Sequence, residues 1–293
     1  MIRKGQYPEV KDKPPFSPGY DLVGIVDKLG EGAQRFKVGQ AVADLTVIGS
    51  YSEYVCLPES RLTPVPDGLD PAEAVSLILS YTTAYQMLHR AARLKKGQSL
   101  LIHGAGGAVG TAMLQLGRLL DLHMLGTASK AKHDLIQELG ATPIDYAQDW
   151  PARILTLTGQ GVDAVFDPIG GGNFKKSFRL LKPRGILVAY GFYNAVMGKG
   201  GSIPLDFMRL KLWNIMPNAR STTFYSIGAW RKKHPDWFFE DLQKLFLLLA
   251  QKKIQPIISK KMPLSKVRSA HQALEKAEVP GKIVLTVSDQ VNA

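Results

Sequence analysis

The chain has 293 residues, of which 45% are apolar and 21% charged, as in an ordinary folded protein with one large or two medium domains. Its single cysteine, Cys56, excludes an intramolecular disulfide and a multi-cysteine zinc site, and its six histidines show no metal-ligand spacing. No apolar run is long enough to span a membrane and no signal-peptide pattern is present, so we expect a cytoplasmic protein.

The net charge of +12 raises the question of a nucleic-acid partner. Most basic residues occur in scattered pairs, and only Arg231-Lys232-Lys233-His234 forms a run. Scattered pairs are typical of a solvated surface, so we do not expect nucleic acid as a partner. Trp230 and Trp237 flank the run and keep single-strand binding open as an alternative, because aromatic rings beside cations can stack on bases.

The first 70 residues predict a small, barrel-like β domain. They are rich in glycine, proline and β-branched residues and lack helical periodicity, with strands predicted at 22–29, 41–45 and 49–56. The chain starts without a lead-in strand, so we expect the barrel to be incomplete at its N-terminus.

From residue 71 helices alternate with strands, which predicts an α/β fold with a doubly wound parallel sheet. The predicted strands cover 99–103, 123–129, 142–146, 162–167 and 185–191. The predicted helices cover 72–79, 83–92, 132–139, 150–157 and 174–181, with a further helix opening at the glycine-rich turn after residue 103. Residues 194–225 are predicted to be largely irregular with one short helix. The helices at 237–251 and 265–276 and the strands at 254–262 and 281–285 complete the chain.

These elements suggest three segments. We expect the N-terminal β domain at 1–74, the dinucleotide-binding domain at 75–252, and a return to the first domain at 253–293.

The turn after the strand at 99–103 carries a glycine pattern, Ala105-x-Gly107-x-x-Gly110. Glycines let a pyrophosphate approach the backbone, and the following helix offers unpaired N–H groups at its start. Alanine replaces the usual first glycine. Because a strand, a helix and a second strand surround the pattern, it predicts a dinucleotide-binding turn.

The residues after the second strand favour NADP(H) over NAD. A carboxylate about 20 positions beyond the turn would bind the ribose 2′-hydroxyl of NAD. This chain instead has Ser129, Lys130 and Lys132 there, and no carboxylate before Asp134. A hydroxyl and two ammonium groups suit a 2′-phosphate, although the lysines could also be only the solvated start of the next helix.

Eight short motifs occur in order along the chain. They are Arg3-x-Gly5-x-Tyr7-Pro8, Pro18-Gly19-Tyr20-Asp21-x-x-Gly24, Phe36-x-x-Gly39, Gly49-Ser50-Tyr51-Ser52-Glu53-Tyr54, Thr83-Ala84-Tyr85, His103 to Gly110, Asp167-Pro168-Ile169-Gly170-Gly171 and Gly281-Lys282-Ile283-Val284-Leu285. Together they resemble the medium-chain dehydrogenase/reductase superfamily, and within it the zinc-independent quinone oxidoreductase branch.

This resemblance implies a GroES-like barrel domain, a Rossmann domain, NADPH in the cleft between them, and a homodimer. It also implies an oxidoreductase that transfers hydride from NADPH to a small-molecule quinone or α,β-unsaturated carbonyl without a metal. The cofactor residues that it implies are Thr83 near the nicotinamide, Gly107, Ala108, Val109 and Gly110 at the pyrophosphate, Ser129, Lys132 and Tyr146 at the 2′-phosphate, and Gly170, Gly191 and Phe192 near the ribose and nicotinamide.

The chain also departs from the family pattern. Zinc-dependent members have Gly-His-Glu where this chain has Gly19-Tyr20-Asp21, so that histidine ligand is missing. Met1 stands where the family often has a tyrosine that lines the active site. Tyr51 could donate a proton or could belong to the barrel core, so no catalytic residue is assigned. The alternative is a catalytically weak or inactive NADPH-binding protein that lacks the N-terminal strands, including one that binds RNA.

Overall fold

A computed structural model describes residues 7, 10, 15–217, 219–276 and 279–287, which fold into two compact units. The first unit combines the N-terminal part up to Thr82 with the C-terminal part from Arg231, and the second covers the segment from Thr83 to Trp230. The units therefore divide after Thr82 and after Trp230, whereas the sequence places divisions after residues 74 and 252. Met1 and most of the motif at residues 3–8 lie outside the described residues.

The described residues contain eleven strands. They are β1 Leu22–Ile25, β2 Ala41–Asp44, β3 Thr63–Pro64, β4 Ser99–His103, β5 His123–Ala128, β6 Thr142–Asp145, β7 Val162–Asp167, β8 Leu181–Ala189, β9 Ser221–Phe224, β10 Ile258–Pro263 and β11 Lys282–Thr286.

The α-helices of the same residues are α1 Pro71–Ser76, α2 Thr82–Gln86, α3 Ala108–Leu119, α4 His133–Glu138, α5 Trp150–Thr158, α6 Gly172–Arg179, α7 Tyr193–Val196, α8 Ile203–Ile215, α9 Ile227–Lys233, α10 Pro235–Ala250 and α11 Val267–Glu275. Two π-helical turns, Leu77–Tyr81 and Met87–Ala91, flank α2. The two helices predicted at 72–79 and 83–92 thus form one nearly continuous helical segment.

The first unit contains two small sheets. β1, β2 and β3 pair antiparallel, and β10 pairs in parallel with β11. The buried carboxylate of Asp44 anchors this unit, because it binds Arg61 at 2.5 Å and Arg231 at 2.9 Å. The helix α10, expected in the nucleotide-binding domain, belongs to this unit and packs against the turn Leu77–Tyr81.

The strand predicted at 49–56 is wrong. The segment forms bends, and its Gly49 and Tyr51 N–H groups donate to the carbonyls of Ser17 and Pro18. A segment with alternating apolar and polar side chains forms a β-strand only when a neighbouring strand accepts its backbone hydrogen bonds. Here a loop accepts them instead.

The second unit is built on a six-stranded, fully parallel sheet in the order β6-β5-β4-β7-β8-β9. This order is the doubly wound arrangement, in which the direction of chain progression reverses between β4 and β7. Every residue of β4 is buried, as expected for a central parallel strand. One face of the sheet carries a core to which α5, α6 and α8 contribute Ile154, Phe174 and Leu210.

The irregular region predicted at 194–225 is also wrong, because it contains the 13-residue helix α8 and the strand β9. The inner face of α8 packs Leu210 and Trp213 on the core, while Leu212 and Ile215 on its outer side are 50% and 80% exposed. Apolar residues on both faces remove the helical periodicity on which the sequence-based interpretation depended.

Candidate functional site

The glycine-rich turn connects the end of β4 to the start of α3. Gly104 adopts a positive φ of 69°, and Gly107 is the residue that precedes the first turn of the helix. No side chain caps the first N–H groups of α3, which belong to Ala108, Val109 and Gly110. The uncapped N-terminus of α3 therefore lies at the carboxyl edge of the parallel sheet. Unpaired N–H groups in this position bind phosphate.

Gly110 allows the helix to start directly against the turn. A Cβ atom at this position would lie 2.5 Å from the carbonyl oxygen of Gly104 and 2.6 Å from Cα of Ala105. These are backbone atoms, which cannot move aside as a flexible side chain could. The third glycine of the pattern is therefore a steric requirement of the turn.

Ala105 occupies the place of the usual first glycine, and its methyl group is accommodated by a glycine on the next strand. A Cβ atom on Gly126 of β5 would lie 2.6 Å from Cβ of Ala105. The Ala105 N–H also donates to the carbonyl of Thr127 at 3.0 Å, which holds the turn close to β5. Gly126 thus compensates for the departure from the glycine pattern.

Lys132 lies across the same turn. A Cβ atom on Gly106 would lie 2.6 Å from Cδ of Lys132, so the lysine stem lies directly against this glycine. Desolvation lowers the pKa of this half-buried ammonium. The Lys132 N–H donates to the carbonyl of Ser129 at 2.9 Å, so one backbone turn joins the two residues.

Tyr146 directly follows the carboxyl end of β6, which is the neighbour of β5 in the sheet. Its N–H donates to the carbonyl of Ala128 at 3.3 Å, and its side chain is 59% exposed. Ser129, Lys132 and Tyr146 therefore all follow the carboxyl ends of two adjacent strands, β5 and β6.

Lys130 has a different environment from Lys132. It lines a pocket of ≈ 230 Å³ at the edge of the sheet. The other lining residues are His133, Pro143, Ile144, Asp145, Gln148, Trp150 and Arg153. Of the two lysines that the sequence offers for a 2′-phosphate, Lys132 is therefore the one that the structure places against Gly106 of the glycine-rich turn.

The turns after β7 and β8 lie together at the same edge. Gly170 has a φ of 78°, and a Cβ atom there would lie 3.3 Å from Cα of Phe192. A Cβ atom on Gly191 would lie 2.8 Å from the carbonyl of Pro168. The structure thus brings the three predicted residues together, but the Phe192 ring is buried and stacks on Phe224. Only the Phe192 backbone can face a ligand.

Thr83 begins the second unit within the helical segment, and it is 6% exposed. It lies between the two π-helical turns, a type of distortion that occurs frequently at functional sites. Its proximity to a nicotinamide stays a prediction.

Two buried carboxylates near this edge were missed by sequence reasoning. Asp167, at the end of β7, accepts the N–H groups of Ile169 and Gly170 at 2.7 and 3.3 Å. Asp206 of α8 accepts the Gly171 N–H at 2.8 Å and pairs with Arg209 at 2.8 Å. An aspartate directly before a Pro-x-Gly-Gly turn was the available signal for the first, and the second required the fold.

The described residues do not provide a zinc site. No group of three or more His, Cys, Asp or Glu side chains in this part of the chain could hold a metal ion, and Cys56 is exposed. We therefore assign no residue to zinc. Within the described ranges, no helix is both long enough and apolar enough to cross a membrane.

Two residues of the basic run, Arg231 and His234, make contacts within the protein. Arg231 pairs with the buried Asp44 and lies over the ring of Phe238 at 4.4 Å. His234 stacks on Trp237 with ring centroids 3.8 Å apart, and Trp230 packs on Tyr225 at 5.0 Å. The flanking aromatic rings are thus engaged within the protein, which does not favour single-strand binding.

The sheet order and the glycine-rich turn define a Rossmann-type dinucleotide-binding protein. Residues 1–67 match the family model of the alcohol dehydrogenase GroES-like domain, and residues 139–285 match that of the zinc-binding dehydrogenases. The chain belongs to the medium-chain dehydrogenase/reductase superfamily, in its quinone-oxidoreductase-like branch. This confirms the predicted family and fold class.

Curated relatives and solved structures support this assignment. The synaptic vesicle membrane protein VAT-1 homolog of Danio rerio is 32% identical over 98% of this chain and 60% of its own length. The 2-haloacrylate reductase of a Burkholderia species is 30% identical over 95% of this chain and 83% of its own length. The quinone oxidoreductase of Escherichia coli complexed with NADPH superimposes with a TM-score of 0.86 at 25% identity, over 97% of this chain and 86% of that one.

Proposed function

We propose that the protein is an NADPH-dependent reductase of quinones or of α,β-unsaturated carbonyl compounds, and that its reaction uses no metal. The observation that carries this proposal is Lys132, which lies partly desolvated across an uncapped glycine-rich turn beside Ser129. The similarity to a quinone oxidoreductase complexed with NADPH and to a 2-haloacrylate reductase supports it.

The residues present fit NADPH. The N–H groups of Ala108, Val109 and Gly110 would hold the pyrophosphate, since no side chain caps them and Gly107, which precedes them, carries no side chain. Ser129, Lys132 and Tyr146 would hold the 2′-phosphate. A desolvated ammonium gains more from a phosphate anion than a solvated one does, because the local dielectric is lower.

The remaining cofactor residues would border the other half of the dinucleotide. Gly170, Gly191 and the Phe192 backbone would lie along the ribose and nicotinamide, with Thr83 near the nicotinamide ring. When bound, NADPH supplies the hydride, and the protein supplies orientation and exclusion of water. Asp167 contributes to orientation by fixing the backbone of the turn at Ile169 and Gly170.

No side chain is assigned as the proton donor. Tyr51 packs its ring against His271 within the first unit, with centroids 5.8 Å apart. The proton for the reduced product would come from solvent or from a nearby hydroxyl. We also propose a cytoplasmic homodimer, which light scattering of the purified protein and fractionation of its own cells would test.

Binding and turnover are tested separately. Dissociation constants for NADPH and NADH are measured by nucleotide fluorescence, and turnover with benzoquinones, enones and 2-haloacrylates is followed by the loss of nicotinamide absorbance. We expect preference for NADPH and turnover with at least one of these classes. Failure to bind NADPH contradicts the proposal as a whole. Binding without turnover supports the alternative of a weak or inactive NADPH-binding protein.

A charge reversal tests the 2′-phosphate assignment. Lys132→Glu should weaken NADPH much more than NADH, because a carboxylate repels the phosphate that only NADPH carries. Lys130→Glu is measured beside it, since it makes the same change in charge at the other lysine that the sequence offers, in the pocket at the sheet edge. Equal loss of both nucleotides in Lys132→Glu would show that this lysine does not contact the 2′-phosphate.

A further inference from the structure

We propose that His103 is a positioning residue for the dinucleotide, acting through a hydrogen-bonded chain that joins the turns after β4 and β7. The chain consists of Thr127, His103, Ser177 and Asp167, and is called the His103 relay below. The existence of the relay is independent of the cofactor, whereas its role in positioning rests on the proposed function.

The relay is buried and continuous. His103 Nδ1 lies 2.9 Å from Thr127 Oγ1, and His103 Nε2 lies 3.0 Å from Ser177 Oγ. Ser177 Oγ lies 2.7 Å from Asp167 Oδ2. Asp167 and Ser177 have no exposed surface, and His103 and Thr127 are 3% and 2% exposed. Trp150 packs edge-on against the His103 ring, with centroids 4.7 Å apart.

The hydrogen-bond partners determine which ring nitrogen of His103 carries the proton. Asp167 receives four donors, from the N–H groups of Ile169 and Gly170, the Asn173 amide and the Ser177 hydroxyl, so its carboxylate acts as an acceptor only. Because the Ser177 hydroxyl donates to Asp167, its oxygen accepts from His103. The proton therefore lies on Nε2, and Nδ1 accepts from the Thr127 hydroxyl.

Burial keeps this arrangement in the neutral form of the ring. Desolvation lowers the pKa of His103, and the nearby Asp167 carboxylate opposes this effect only in part. A neutral ring with one donor and one acceptor satisfies both hydroxyl neighbours at once. A second ring proton would leave Thr127 without its acceptor.

The relay connects the backbone segments that would contact the cofactor. His103 directly precedes Gly104 of the glycine-rich turn, and Thr127 accepts the Ala105 N–H through its carbonyl. At the other end, the same Asp167 carboxylate holds the turn at Ile169 and Gly170. The relay thus fixes the carboxyl ends of β4, β5 and β7 relative to one another, at the reversal point where a doubly wound sheet binds its ligand.

This role differs from that of a packing residue, because a packing residue requires only ring volume. The relay requires a donor at the position of Nε2 and an acceptor at Ser177. Loss of either should misplace the two turns without removing the core around them.

Ser177→Ala is the principal test, with Ser76→Ala as the matched control. Ser76 is a buried hydroxyl of the first unit, and it bonds only the carbonyl one turn earlier on its own helix among the contacts described. We expect Ser177→Ala to raise the NADPH dissociation constant roughly tenfold, as for loss of a buried hydrogen bond, and Ser76→Ala to change it less than about twofold. His103→Gln, which retains a donor, should bind NADPH more tightly than His103→Leu.

A second measurement tests the relay without cofactor. Nitrogen NMR of histidine-labelled protein should show one neutral ring with its proton on Nε2, and this signal should be assigned by its loss in His103→Gln. A proton on Nδ1, or a charged ring at neutral pH, would overturn the relay itself.

The outcomes separate the two proposals. If wild-type protein binds NADPH and Ser177→Ala binds it equally well while melting at a lower temperature, the positioning role is overturned and the proposed function stands. If wild-type protein fails to bind NADPH, the proposed function and the positioning role both fail, while the NMR result still decides the existence of the relay.

Discussion

The contact between Ala105 in the glycine-rich turn and Gly126 on β5 leads to a quantitative prediction about stability. Gly126 lies on β5, and its φ is not positive, so an alanine there is compatible with the backbone. The added methyl group would nevertheless lie 2.6 Å from Cβ of Ala105 and 3.3 Å from Cγ2 of Ile136. We expect Gly126→Ala to destabilise the wild-type protein and to be tolerated once Ala105 is a glycine.

The magnitude follows from the contact distance. Carbon atoms pack favourably at about 3.5–4.0 Å, so a separation of 2.6 Å must be relieved by a shift of the turn or of the strand. Forced overpacking of this kind costs ~1–3 kcal/mol. In the Ala105→Gly background only the milder contact with Ile136 remains. Gly126→Ala should then stabilise the protein by about 0.4–1 kcal/mol, because alanine lowers the conformational entropy of the unfolded chain.

The assay is a double-mutant cycle in urea-induced unfolding, monitored by fluorescence of the four tryptophans. Wild type, Gly126→Ala, Ala105→Gly and the double variant are compared, with Gly24→Ala as the control. Gly24 also lies in a strand, β1, but a Cβ atom at this position would have no neighbouring heavy atom within 4 Å. Equal effects of Gly126→Ala in both backgrounds, to within about 0.5 kcal/mol, would refute the compensation.

Three further predictions concern charge. Lys132→Glu should raise the NADPH dissociation constant at least about tenfold more than that of NADH, a difference of roughly 1.4 kcal/mol, measured by nucleotide fluorescence. The pKa of His103 is lowered by burial from 6.5, so the unfolded chain binds the extra proton first. The free energy of unfolding should therefore decrease as the pH falls below about 6.5, by up to ~1.4 kcal/mol per pH unit. Melting temperatures measured over this pH range should show a weaker dependence in His103→Gln. Arg231→Met should destabilise the protein more than Arg61→Met, because Arg231 is the more buried of the two cations on buried Asp44, with side chains 18% and 40% exposed. Equal costs in urea unfolding would contradict this ranking.

The strand, turn and helix around the glycine pattern could be predicted from the chain because local chemistry specifies them. The predicted strand at 99–103 coincides with β4, and the predicted strand at 162–167 coincides with β7. Both are short, mainly apolar segments followed by glycine-containing turns, a pattern with few alternative structures. The proposal of Ser129 and Lys132 as cofactor residues followed from the position of these elements.

Elements whose identity depends on neighbours could not be predicted in the same way. The helix α8 is apolar on both faces, so its periodicity is hidden until the core beneath Leu210 is known. The polar strand β9 exists because β8 provides a partner. The segment at 49–56 has strand-like alternation but finds its hydrogen bonds in a loop.

The sequence by itself determined the fold class, the family and the position of a dinucleotide-binding turn, because these depend on spacing along the chain. Tertiary structure alone decided that Gly126 accommodates Ala105 and that the Phe192 ring belongs to the core. It also decided that His103 reaches Asp167 through Ser177, although these residues lie far apart along the chain. Steric fit and hydrogen bonds between distant residues act over a few ångströms, so they exist only after the parallel sheet has brought its strand ends together.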